Sequence, residues 1–142
     1  MTTPHKTPTW FTATIVVLLI WNLLGVLNFV MQYTMTDTDI LLLPENQQIF
    51  HTKISLLSKV AFGMGVFGGT FGCILLLAKK SIASKFFWIS FVGIILQANY
   101  NLELANGGEM QSVIISMSSL LIVLTLLLLY LTKKGLKNNW LN

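Results

Sequence analysis

The sequence predicts an all-α integral membrane protein: one domain over residues 1–142, built as a four-helix transmembrane bundle with both termini cytoplasmic. Three observations predict it. Hydrophobic residues make up 54% of the chain and charged residues only 10%, where soluble domains carry about 25% charged residues, so there is too little polar surface to face water. The mean hydropathy of +0.74 says the same. Four apolar runs lie near the roughly 20 residues that a helix needs to cross a ~30 Å hydrocarbon layer, and polar breaks separate them. The breaks alternate between purely basic and net acidic. These features exclude a soluble enzyme, a nucleic-acid-binding domain and a secreted disulfide framework.

The first run extends from about Trp10 to Tyr33. It is too long for a signal-peptide core and leads into Gln32-Tyr33-Thr34-Met35 rather than a small-x-small cleavage site, so it is expected to stay in the mature protein. The loop after it, Thr36-Asp37-Thr38-Asp39 followed by Ile40-Leu41-Leu42-Leu43 and Pro44, is too apolar for a plain linker. Thr36 or Thr38 can cap a helix with acids in its first turn, the leucines can lie on the membrane interface, and Pro44 can end it. A one- to two-turn interfacial helix is expected.

The second run, about Ile54 to Ala78, repeats a small residue every fourth position at Ala61, Gly65, Gly69 and Cys73, and Gly63, Gly68 and Gly72 thicken the stripe. Small residues at this spacing let another helix approach closely. The stripe, with Ala61, Gly65, Gly68, Gly69 and Gly72 as its packing residues, fits span one, span three or another copy equally, and closure of a four-helix unit favours an intramolecular partner. The third run (about Phe86 to Leu102) and the fourth (about Met110 to Leu131) are joined by Asn106-Gly107-Gly108-Glu109, a tight turn that makes them an antiparallel hairpin. No run contains proline, as expected where every backbone amide needs an intrahelical partner.

The charges orient the chain. Lys6, then Lys79, Lys80 and Lys85, then Lys133, Lys134 and Lys137 occupy one side, and all five acids (Asp37, Asp39, Glu45, Glu103, Glu109) occupy the other. The positive-inside rule makes the basic side cytoplasmic. The net charge of +4 then reflects topology and the anionic inner leaflet, not a nucleic-acid partner. Trp10, Tyr33, Trp88, Tyr100 and Tyr130 mark span ends as an aromatic belt, with Trp140 as a tail anchor. Trp21, in mid-span beside Asn22, either packs or walls a pocket.

Polar residues inside spans are the candidates for function, because burying each costs a few kcal/mol unless it has a partner. At 100° per residue, Asn22, Asn28 and Gln32 share an arc of about 120° with Gly25. Ser90, Gly93, Gln97 and Asn101 share a face of span three, and Ser112, Ser116 and Ser119 a face of span four. These faces are expected to point inward. Most of the polar residues fall in the outer half, with Lys59 of span two, while the inner half is hydrocarbon, most plainly Leu120 to Leu131. The asymmetry suggests a polar pocket open outward and closed toward the cytoplasm, with Asn22, Asn28, Gln32, Lys59, Gln97 and Asn101 as ligand-binding candidates. The same groups would equally serve as interhelical hydrogen-bond glue at roughly 0.6 to 2 kcal/mol each, or as contacts for water entering splayed helix ends. Lys59 either snorkels to the interface or stands as a buried cation facing Glu103 or an anionic or hydroxylated solute.

Other chemistries have little support. No acid lies in the core of a span, which disfavours a carboxylate-driven proton antiporter. His5 and His51 lie on opposite sides of the membrane and cannot ligate one metal or haem. Cys73 has no partner for a disulfide and is read as packing. No cofactor, metal or enzymatic activity is expected.

Several stretches carry a resemblance. Trp21-Asn22-Leu23-Leu24-Gly25, Met35-Thr36 through Leu43-Pro44-Glu45, Val66-Phe67-Gly68-Gly69 with Gly72-Cys73, and Gln97 with Tyr100-Asn101 resemble a family of small four-span membrane proteins found in Bacteroidota and some proteobacteria, often automatically labelled "sugar transporter". The likeness spans roughly residues 8 to 135, and departs where the family carries an aromatic and a Pro-Trp ahead of span two and this chain has Phe50-His51-Thr52-Lys53-Ile54. The resemblance implies a bacterial inner-membrane protein, a transport or permeation component for a small polar solute such as a sugar. The alternative is a non-catalytic accessory or scaffold subunit that docks a larger complex through the glycine stripe. Beyond the bilayer, the expected partners are other copies of the chain, a larger membrane complex, or the solute.

Overall fold

The computed structural model describes residues 6–105 and 107–142, and all its regular structure there is helical. In chain order the helices are α1 (Thr9–Thr34), α2 (Asp37–Leu41), α3 (Glu45–Lys53), α4 (Leu56–Leu77), α5 (Ala83–Ala105) and α6 (Glu109–Lys137). Three of them, α1, α4 and α6, are long and apolar enough to cross a membrane. The segment expected as the third span forms the helix α5, but Gln97, Asn99, Asn101 and Glu103 lower its apolar character and it is not among those three.

The loop after α1 is more helical than its composition suggests. Thr36 caps α2 as expected: its Oγ1 accepts from the Asp39 amide at 3.3 Å and Asp39 Oδ2 accepts from the Thr36 amide at 2.9 Å, a complete capping box. Pro44 does not merely end this segment. It is the N-cap of α3, where its extended backbone (φ −55°, ψ 146°) leads directly into a second helix. Gln48 Nε2 donates to the carbonyls of Leu43 (2.7 Å) and Leu41 (3.1 Å), tying α3 back onto the end of α2. At the far turn, Gly107 and Gly108 take φ of +97° and +82°, the positive values expected of them. Asn106 and His5 lie outside the described residues.

The long helices pack in the spatial order α1, α4, α5, α6, with α4 against α5 the most extensive pairing and α6 only lightly touching α1 and α4. The glycine stripe explains the order. A Cβ on Gly93 of α5 would lie 2.7 Å from both the Ala61 carbonyl oxygen and the Gly65 nitrogen, and one on Gly68 would lie 3.0 Å from the Phe86 oxygen and the Ser90 nitrogen. Backbone meets backbone along this face, and Ser90 Oγ donates to the Gly65 carbonyl at 2.6 Å across it. Gly72 makes room for the ring of buried Phe87, and Gly69 for the side-chain amide of Asn22 on α1. The stripe is filled within the chain.

The four helices converge at the basic end. Phe11, Ile15 and Leu18 of α1 meet Cys73 and Leu76 of α4, Ala83 and Phe87 of α5, and Leu128 and Leu131 of α6 in one buried cluster. Leu141, beyond α6, completes it. Trp140 is therefore more than a membrane anchor: it stacks edge-on against Phe11 with centroids 5.2 Å apart and carries the tail back over the core.

Two matching helix ends build this closure. At the end of α4, Lys79 adopts φ +60° while the Lys80 amide donates to Leu75 O and the Lys79 amide to Leu76 O. At the end of α6, Asn139 adopts φ +54° while the Trp140 amide donates to Gly135 O and the Asn139 amide to Leu136 O. Both are Schellman motifs with a left-handed residue after the helix. The two turns are then stitched together, Ser81 N donating to Asn142 O at 2.8 Å and Asn142 N to Lys79 O at 2.7 Å.

Candidate functional site

Beyond Leu18 no residue of α1 is buried, and on α6 only Ile114 is buried before Thr125. Away from the basic end these two helices bury little, and the candidate site is the cleft between them at mid-length of the bundle. Its walls are Trp21, Asn22 and Gly25 of α1 and Leu121, Leu124, Thr125 and Leu128 of α6, and its floor is Phe62, Gly65 and Val66 of α4 with Ile94 and Gln97 of α5. The cavity volume is about 40 Å³. That accommodates ordered water, which needs roughly 10–15 Å³ and two or more polar partners, and is well below the ~300 Å³ of small-molecule pockets.

Two polar side chains serve this cleft. Asn22 is held by its own helix, Nδ2 donating to Leu18 O at 2.8 Å, with Cys73 Sγ 3.9 Å away on α4. Its position over α4 depends on Gly69, whose missing side chain leaves the space that the Asn22 amide occupies. Gln97 is half-buried at the floor, and among the described residues its amide makes no hydrogen bond, which leaves both a donor and an acceptor for an occupant. Thr125 is self-satisfied, donating to Leu121 O at 2.8 Å. Trp21 walls the cleft and is 38% exposed, the second of the two roles its position allowed.

The other four candidates do not join them. Asn101 Oδ1 accepts from Ser58 Oγ at 3.0 Å, and with Ser58 fully buried this pair seals the end of the α4–α5 interface far from the basic end. Lys59 lies on a different face, its Nζ 5.2 Å above the Tyr33 ring in a shallow groove with Phe29, Val60 and Gly63. It does not face Glu103, which is exposed and accepts from Asn99 Nδ2 at 3.4 Å. Asn28 is exposed, and Gln32 is half-buried. Asn28 follows Trp21 by seven residues and so continues the flank of α1 that borders the cleft.

The serine face of the last helix is a correction. Ser112, Ser116 and Ser119 are exposed, not inward, and Ser116 Oγ donates to Ser112 O at 2.9 Å, satisfied by its own backbone. Ser58 is the residue that sequence reasoning missed. Its signal was weak, a single small hydroxyl beside the more conspicuous Lys59. No group of three or more His, Cys, Asp or Glu able to hold a metal forms among the described residues.

Comparison with protein-family models, curated proteins and solved structures finds no match to this chain.

Proposed function

We propose that the protein is a multi-pass component of the bacterial inner membrane with four spans, α1, α4, α5 and α6, and both termini cytoplasmic. The case for α5 as the fourth span is that its 23 residues reach about 35 Å and that it lies between α4 and α6. Of its polar groups, Ser90, Gln97 and Asn101 turn to α4 or the cleft and need not meet lipid, while the exposed Asn99 and Glu103 sit toward its acidic end.

Within that frame we propose a transport or permeation component for a small polar solute, with Asn22 and Gln97 as the working pair. The observation that carries this reading is the asymmetry of the bundle. An apolar core closes the basic end, while a cleft with two amides lies beside it at mid-length, between α1 and α6. Admission of a sugar-sized solute from the outer side requires the outer halves of α1 and α6 to separate, pivoting on the closed end. The test is thiol labelling in intact cells with a membrane-impermeant reagent. Gln97→Cys should label from outside, while the buried native Cys73 stays silent. Protection of Gln97→Cys until the cells are permeabilised would refute an outward-open cleft.

A second reading, a non-catalytic accessory subunit, is favoured by the small volume of the cleft and by its opening along the side of the bundle. On this reading the seam between α1 and α6, and not the glycine stripe, receives a partner helix. Purification in mild detergent followed by mass spectrometry separates the two. A stoichiometric larger partner supports the subunit, and a homo-oligomer without one supports the transporter.

A further inference from the structure

Around the last turns of α6, Tyr130, Lys133, Lys134 and Lys137 recur at intervals of three and four, so they share one face of the helix. With Asn138 they line a surface hollow of about 400 Å³. Lys134 is steered into it by aromatic rings, its Nζ 4.8 Å from the Trp10 centroid and 5.8 Å from that of Tyr130. No carboxylate lines the hollow, and all five acids of the chain lie after α1 in α2 and α3 or at the facing ends of α5 and α6.

A second hollow of about 410 Å³ adjoins the first and shares two of its walls, Tyr130 and Lys133. It runs between α5 and α6 over Trp88, Leu126, Leu129 and Leu136, and is overwhelmingly apolar. A cationic hollow at the end of a span thus continues into a hydrocarbon groove along it. Phosphate chemistry suits the first compartment, since lysines with no carboxylate in the lining bind it as point charges. Acyl chains suit the second.

We infer that this pair of hollows is a binding site for one anionic glycerophospholipid, its phosphodiester held by Lys133, Lys134 and Lys137 and an acyl chain laid against Trp88 and Leu129. Basic pockets beside spans on the cytoplasmic side bind such headgroups, and each lysine adds to the attraction. The inference is independent of the cleft, because the two sites share no residue.

The test is native mass spectrometry of the full chain in detergent, titrated with phosphatidylglycerol, phosphatidylcholine or inorganic phosphate. The wild type should retain phosphatidylglycerol in preference to phosphatidylcholine. Changing Lys133, Lys134 and Lys137 together to Gln should weaken that retention on the order of tenfold to a hundredfold, and changing them to Arg should restore it. The control changes Lys79, Lys80 and Lys85 to Gln, removing the same charge from the same end, and should retain phosphatidylglycerol as the wild type does. Equal losses in both triple variants would reduce the effect to general attraction and overturn the site. So would equal retention of phosphatidylcholine, or inorganic phosphate displacing the lipid at matched concentration, which would make the hollow a free-anion site.

Discussion

Gly93 offers the most direct test of how the bundle is held together. An added Cβ would stand 2.7 Å from two backbone atoms of α4, so Gly93→Ala forces the two helices apart by several tenths of an ångström, since neither atom can rotate away. Such overpacking costs about 1–3 kcal/mol. Alanine also favours a helix over glycine by about 1 kcal/mol, which would mask part of the effect, so the comparison needs a matched glycine. Gly63 supplies it. A Cβ there meets Phe29 at 3.5 Å, an ordinary contact, so Gly63→Ala keeps the propensity gain without the clash. The stability difference between the two alanine variants isolates the steric part and should be about 1–3 kcal/mol in favour of Gly63→Ala. Reversible unfolding in mixed micelles, followed by tryptophan fluorescence, measures it. Equal stabilities would show that α4 and α5 do not approach backbone to backbone, and the packing order would have to be redrawn.

Three further outcomes follow from named contacts. A double-mutant cycle on Ser58→Ala and Asn101→Leu should give a coupling of about 0.6–1.7 kcal/mol, typical of interhelical hydrogen bonds in membranes; zero coupling would mean that the pair does not meet. Leu141→Ala should destabilise the protein by about 2–5 kcal/mol as a core truncation, whereas a loss under about 0.5 kcal/mol, normal for surface changes, would show that the tail does not close the basic end. Asp39 is held below the ordinary aspartate value of 3.8 by the hydroxyl and then the amide of Thr36. Its contribution to the α2 cap is therefore complete above that value and lost as pH falls through the depressed one. Carboxyl carbon NMR should show the Asp39 midpoint rising in Thr36→Val, and an unchanged midpoint would dismiss the capping box.

Much of this architecture is legible in the residues because membrane helices obey few rules. Apolar length and charge breaks located α1, α4 and α6, and Thr36 announced the start of α2. The 100° arithmetic put Ser90, Gly93, Gln97 and Asn101 on one inward face, and there they are buried or half-buried. The same arithmetic failed for Asn28. Angular position relates residues on one helix to each other but does not say where the neighbouring helix stands, and α1 turns Phe29 and Tyr33, not Asn28, toward Phe62 of α4. The serines of α6 misled for a different reason: a hydroxyl can bond its own helix carbonyl and needs no inward partner. α3 was missed because Pro44 was read as an ending, although proline is equally at home where a helix begins. The candidate site was legible only in outline. Both cleft amides were recognisable as polar groups within apolar runs, but which of six would share a cavity depended on helix rotations that one sequence does not encode.

The stitched basic end also constrains how the molecule is made. Phe11, near the start of α1, lies in one buried cluster with Leu141, so the chain must thread all its long helices before the core they share is complete. During synthesis α1 and α4 can enter the bilayer and α5 can pair with α4 through their glycines, but the pocket around Phe11 stays open until residue 141 has been made. Local pairing comes early and sequence-distant closure last. A ribosome stalled within α6 would leave three helices assembled and an unfinished end exposed, a natural point of recognition for membrane quality control.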